Sequence, residues 1–140
     1  MVKTVDATGL ILGRIATYVA KLTLMGETVQ IINCEKAAIS GSKSKIDKVK
    51  KLRSMGSPFH GPFYPKAADR IVKRTIRGML PYKQERGRNA LARVKCYIGA
   101  PTELDTKDMI SIPGASKEKI TAIKTFTVKA LSTNKKQSKW

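Results

Sequence analysis

The chain has 140 residues, 41% of them apolar, which suffices for one domain whose core needs no disulfide or metal staple. Its 28 Lys and Arg outnumber its 10 Asp and Glu, for a net charge of +18. That excess argues against an acidic, disordered chain and for a polyanionic partner. No apolar run approaches the ~18 residues of a membrane span, and Met1–Ala7 lacks the charged-then-apolar pattern of a secretory signal.

Val2–Val5 reads as a short apolar strand and Asp6-Ala7-Thr8-Gly9 as a turn. Leu12, Ile15, Ala16, Val19 and Leu22 then recur at helical spacing, with Gly26 suited to the helix C-terminus. Thr28–Cys34 is β-branched and apolar, as a central strand should be. Strand, helix, strand in this order is a βαβ unit, with parallel strands and a right-handed crossover. Its first turn, Gly9-Leu10-Ile11-Leu12-Gly13-Arg14, lacks both G-x-G-x-x-G and the Gly-Lys-Ser/Thr ending of a phosphate loop. Two glycines easing a tight turn account for it better than nucleotide binding. Ala37–Ser40 is a further short strand ended by Gly41, so residues 1–41 form a βαβ core carrying little net charge.

The charge lies in residues 42–99. A helix from Ser42 or Ser44 to about Arg53 has only Ile46, Val49 and Leu52 as a thin apolar stripe. Lys43, Lys45, Lys48, Lys50, Lys51 and Arg53 cover its remainder against one acid, Asp47. Internal ion pairs cannot neutralise such a helix, and phosphate contact is favoured over a merely solvated face. Ser54–Lys66 follows, with three prolines and two glycines that forbid regular structure over most of it. It offers Phe59, His60, Phe63 and Tyr64 as flat rings between basic helices. They either stack on unpaired bases or pack the loop onto its own domain. His60 has no carboxylate or nucleophile near it in sequence, so it is structural or an RNA contact.

The central element is Arg70–Leu80. On a helix, Arg70, Lys73, Arg74 and Arg77 fall at i, i+3, i+4 and i+7 and make one cationic stripe. Val72, Ile76, Met79 and Leu80 lie on the other side, facing the core, and Asp69 is placed to cap the helix. Pro81 stops it, and the chain restarts with Lys83, Arg86 and Arg88 around Gly87. Glu85–Val94 forms a second basic helix that includes Arg93, and Lys95–Gly99 returns to β structure. From Lys66 to Lys95 there are ten cations and two acids. Gly78 and Gly87 either let backbone approach RNA or ease helix ends. Residues 100–140 read as loop-rich: Pro101–Lys119 is a surface loop, Thr127 caps a last short helix, and Asn134–Trp140 is a basic tail, mobile unless bound. Cys34 and Cys96 are read as reduced, buried thiols. With His60 the only histidine, no metal cluster forms, and no catalytic constellation is visible.

Val5-Asp6-Ala7, Leu12-Gly13-Arg14-Ile15-Ala16, Ile31-Ile32-Asn33-Cys34-Glu35-Lys36 and Ile39-Ser40-Gly41 form one set of motifs in order along the chain. More specific are Ile76-Arg77-Gly78-Met79-Leu80-Pro81, Gly87-Arg88 and Val94-Lys95-Cys96-Tyr97-Ile98-Gly99. On these motifs the chain resembles the universal large-subunit ribosomal protein thirteen family, archaeal type. Cys96 stands where a small aliphatic residue is more usual. The resemblance implies an α/β fold: three-layer α/β/α with a small, mainly parallel four-stranded sheet. It also implies a structural role in the cytoplasmic large ribosomal subunit, early in assembly, with no active site or cofactor. The implied partners are large-subunit rRNA and neighbouring ribosomal proteins, with no membrane or small-molecule substrate. The candidate RNA contacts are the basic residues named above (Lys43, Lys45, Lys48 and Arg53, then Lys66, the central stripe, Lys83, Arg86, Arg88 and Arg93), together with His60. Three rival expectations are a translational regulator acting off the ribosome, a nucleotide-dependent enzyme and a DNA-compacting protein.

Overall fold

A computed structural model describes residues 2–57, 59–102, 109–119 and 124–132. Strand β1 (Val2–Asp6), helix α1 (Leu12–Leu24) and strand β2 (Thr28–Ile32) form the expected βαβ unit. Val2 pairs with Thr28 and Asp6 with Ile32 in parallel register. Every apolar position expected on α1 is buried: Leu12, Ile15, Ala16, Val19 and Leu22. The helix ends where Gly26 donates its N–H to the Thr23 carbonyl and Glu27 to that of Leu22.

A 3₁₀ turn at Cys34–Lys36 leads to β3 (Ala38–Ser40), then to the basic helices α2 (Lys43–Ser54), α3 (Ala68–Met79) and α4 (Glu85–Ala92). Strand β4 (Val94–Cys96) returns beside β2, Val29 opposite Val94 and Ile31 opposite Cys96. The alternation of the pleat puts Val5, Val29, Ile31 and Val94 on one face, all fully buried. They share one apolar cluster with Ile15 and Val19 of α1 and Ile71, Val72 and Ile76 of α3. Exposed Lys95 lies on the other face.

The described residues show a parallel sheet, as expected, but not four strands in it. Three parallel strands, β1-β2-β4, make one sheet, and β3 pairs antiparallel with β5 (Thr125–Thr127) in a separate two-stranded one. The reason is local. The position beside β1 is filled by a single bridge, Thr4 to Met109, with Ile110 N–H on the Thr4 carbonyl at 2.9 Å. Strand β5 leads into a short helix, α5 (Val128–Leu131), whose Val128 is buried. Thr127 is its N-terminal flanking residue as expected, though its side chain makes no cap hydrogen bond.

Within Pro101–Lys119, the described residues 109–119 are more than a surface loop. Ile112 and Ala115 are buried, and Ile11 N–H donates to the Ala115 carbonyl at 2.7 Å. The short alternation of exposed Met109 and Ser111 with half-buried Ile110 and buried Ile112 was too brief to read as a strand. The Asn134–Trp140 tail lies outside the described residues. No described helix is long and apolar enough to cross a membrane.

Candidate nucleic-acid interface

Helix α3 positions the site. Its buried side carries Ala68, Ile71, Val72 and Ile76, continued by Leu80 just beyond its end. Ile71 thus joins the expected stripe, while Met79, in the last turn, is largely exposed beside the Thr17 hydroxyl. Asp69 does not cap the helix. Ala67 occupies that position, and Asp69 sits in the first turn, where its charge suits the helix dipole but its side chain accepts no cap hydrogen bond. The opposite side carries Arg70 and Arg77, exposed, and Lys73 and Arg74, half-buried along their stems.

No carboxylate among the described residues neutralises this face. Among the described residues the one ion pair within 4 Å joins Lys3 to Glu27, both outside the basic segment. Aromatic rings hold two of the arginines instead. The Arg74 guanidinium lies 4.4 Å from the centre of the Tyr64 ring, and that of Arg77 lies 5.1 Å from Tyr82. Arg53, at the end of α2, faces the same region. Burial first, and the charge of Arg74 second, press its pKa below the ordinary arginine value, with Tyr64 opposing. Its Nη1 is buried and has no hydrogen-bond partner among the described residues. A guanidinium stays charged at physiological pH, so deprotonation cannot relieve this crowding; a bound anion can.

The remaining candidates divide by location. Lys43, Lys45 and Lys48 are exposed on α2, whose main anchor is buried Ile46; Val49 is half-buried and Leu52 exposed. Lys66, Lys83, Arg86 and Arg88 are also exposed. Arg93 is drawn into the body, donating to the Thr23 carbonyl at the end of α1 at 3.3 Å. Gly87 makes its close approach to the chain's own backbone: a Cβ there would collide with the Pro81 carbonyl and stand 2.8 Å from Tyr82 N. Gly78, by contrast, faces open space.

The loop between α2 and α3 makes a tight turn, with Gly61 N–H on the Ser57 carbonyl at 3.1 Å. Tyr64 is half-buried against Arg74, but the other three rings are not folded inward. Phe59 is 91% and Phe63 76% exposed, and His60 is exposed beside them. Phe63 divides two open cavities. One, of about 290 Å³, is walled by Phe63, Pro65 and Leu91 and by all four cations of the α3 stripe. The other, of about 210 Å³, reaches Arg53, Tyr64 and Lys66.

A larger cavity, about 380 Å³, opens by Asp6, Thr8 and Lys119 at the carboxyl end of β1, where α/β sheets commonly bind ligands. Part of its turn is already engaged by the chain's own backbone. Ile11 N–H is held by Ala115, Leu10 N–H by Ala7, and the Gly9 carbonyl by Lys117 N–H. Burial opposes the Asp6 charge, but hydrogen bonds from Thr8 and Asn33 and the charge of Lys36 hold its pKa below the usual 3.8. Cys34 is a buried free thiol whose Sγ donates to the Ile31 carbonyl at 3.6 Å; the neighbouring Cys96 thiol, then burial, push its pKa up, so it is no nucleophile. Cys96 is half-buried and also free. No group of three or more His, Cys, Asp or Glu among the described residues could hold a metal ion.

Residues 1–103 match the family model described as ribosomal protein L13. Similar curated chains are archaeal and are named large ribosomal subunit protein uL13. That of Methanosarcina barkeri is 53% identical over 79% of this chain and 81% of its own. That of Methanococcoides burtonii is 46% identical over 89% and 90%, and that of Haloarcula marismortui 43% over 91% and 86%.

Proposed function

The chain belongs to the ribosomal protein L13 family, and from that premise we propose that it clamps folded rRNA through α2, α3, α4 and the loop between α2 and α3. Membership makes it a structural, non-enzymatic constituent of the large subunit of the cytoplasmic ribosome, associated with rRNA and other ribosomal proteins. The finer reading assigns the contacts. Arg70, Lys73, Arg74 and Arg77 bridge phosphates from one RNA segment, while Arg53 and the α2 lysines reach a second. Lys66, Lys83, Arg86 and Arg88 extend the surface, and His60 touches RNA from the loop. A three-layer α/β/α body and a role early in subunit assembly belong to the same reading.

One observation carries it. The α3 stripe has its four cations outside and its apolar side in the core, with no carboxylate partner among the described residues. Like charges stacked on one helix face destabilise it, and a polyphosphate offsets that repulsion far more strongly than water does. Arginine also supplies bidentate phosphate contacts that lysine cannot.

Sucrose-gradient fractionation tests the assignment against a regulator working off the ribosome. The expected result is co-sedimentation with large subunits through a moderate salt wash, lost when Arg70 and Arg77 are both changed to Glu. Free protein at the top of the gradient, with the wild-type chain, would overturn it.

A further inference from the structure

We propose that the cavity between Phe63 and the α3 stripe seats a single unpaired ribonucleotide, its base against the Phe63 ring and its phosphate on the stripe. The inference rests on the rRNA-clamp reading and adds to it a preference for RNA containing an extruded base.

The two kinds of wall make the case. Phe63, Pro65 and Leu91 supply apolar surface, whereas Arg70, Lys73, Arg74 and Arg77 supply only cations. Each nucleotide unit of RNA has the same division, a flat apolar base joined to an anionic phosphate. At about 290 Å³ the cavity lies at the small end of ligand clefts and has room for one such unit. A base inside a duplex is covered on both faces by its neighbours, so only a bulged, looped or terminal nucleotide can enter.

The ring is already positioned. Its Cδ2 and Cε2 carbons come within 3.3 Å of where a Cβ on Gly61 would stand, so it leans on the Gly61 backbone. Gly61 has φ +66°, a conformation that favours glycine. Tyr64, next in sequence, is fixed beneath the Arg74 guanidinium. With one side of the Phe63 ring on the loop and 76% of the residue exposed, the ring offers a face for stacking. Phe59, more exposed still, lines neither of the two cavities that Phe63 divides.

The test compares two RNA hairpins with the same stem, one bearing a single-nucleotide bulge and one fully paired, bound to the full chain. Wild type should bind the bulged hairpin about tenfold tighter, the scale of one base–aromatic stack. Phe63→Leu, which keeps apolar bulk but removes the ring, should reduce that preference to about one, with an unchanged thermal melt and unchanged salt dependence. Phe59→Leu should retain it. Equal wild-type affinity for both hairpins, with steep salt dependence kept, would overturn the nucleotide seat and leave the clamp standing. Loss of the preference in Phe59→Leu but not in Phe63→Leu would overturn it as well. Binding of neither hairpin in a salt-dependent way would defeat the clamp and the seat together.

Discussion

Arg53 shows how single residues of this surface trade stability for binding. Its Nη1 is buried without a partner among the described residues, and burial and Arg74 both work against its charge. Replacing such a residue by an apolar one of similar length removes a desolvation cost, so the free protein should not suffer. Arg53→Met is expected to leave the melting temperature unchanged or higher while RNA affinity falls about tenfold, the scale of one charge-assisted hydrogen bond. Paired thermal melts and filter binding check both halves. Gly87 is the opposite case, a residue of the basic segment that serves only the fold. A Cβ there would strike the Pro81 carbonyl. Although alanine favours helices, Gly87→Ala should lower stability by about 1–3 kcal/mol through overpacking, measured by urea unfolding. RNA affinity measured well below the unfolding midpoint should change little.

At the scale of elements, what could be read from the sequence tracks the length of the pattern. Helix α1 and the parallel pair β1–β2 were legible because five apolar residues at helical spacing and a β-branched run leave little choice. The cationic and apolar sides of α3 were legible for the same reason. Its details were not: Met79 sits where the last turn leaves the core, and Asp69 lies two residues inside the helix rather than at its start. The three-residue strands β3 and β5 pair through a contact distant in sequence, which no local period encodes. Nor could residues 115–117 announce that they bond to the Gly9–Ile11 turn. At the interface, the flat rings were visible, but not which way they point, since burial of a Pro/Gly loop depends on tertiary packing. The aromatic partners of Arg74 and Arg77 were equally out of reach of spacing alone.

The whole molecule separates two tasks. A small parallel sheet with α1 and the inner side of α3 makes the apolar body. The outer side of α3, with α2, α4 and the exposed rings, carries charge that the described residues leave unneutralised. A DNA-compacting protein would share the charge; exposed rings beside it suit folded RNA, whose unpaired bases are free to stack. A nucleotide-dependent enzyme would need a phosphate-binding first βα turn; this one lacks the glycine pattern, and its Leu10 and Ile11 amides are engaged by the protein's own chain.

The most direct measurement is the salt dependence of binding to large-subunit rRNA, for wild type and for Arg70→Gln combined with Arg77→Gln, both sites being exposed. If about eight cations meet phosphate, log affinity should fall against log salt with a slope of roughly −6 to −7, and the double variant should be shallower by about two at unchanged fold. A wild-type slope near zero, or a variant that keeps both wild-type slope and wild-type affinity, would contradict the claim that this face of α3 neutralises phosphate.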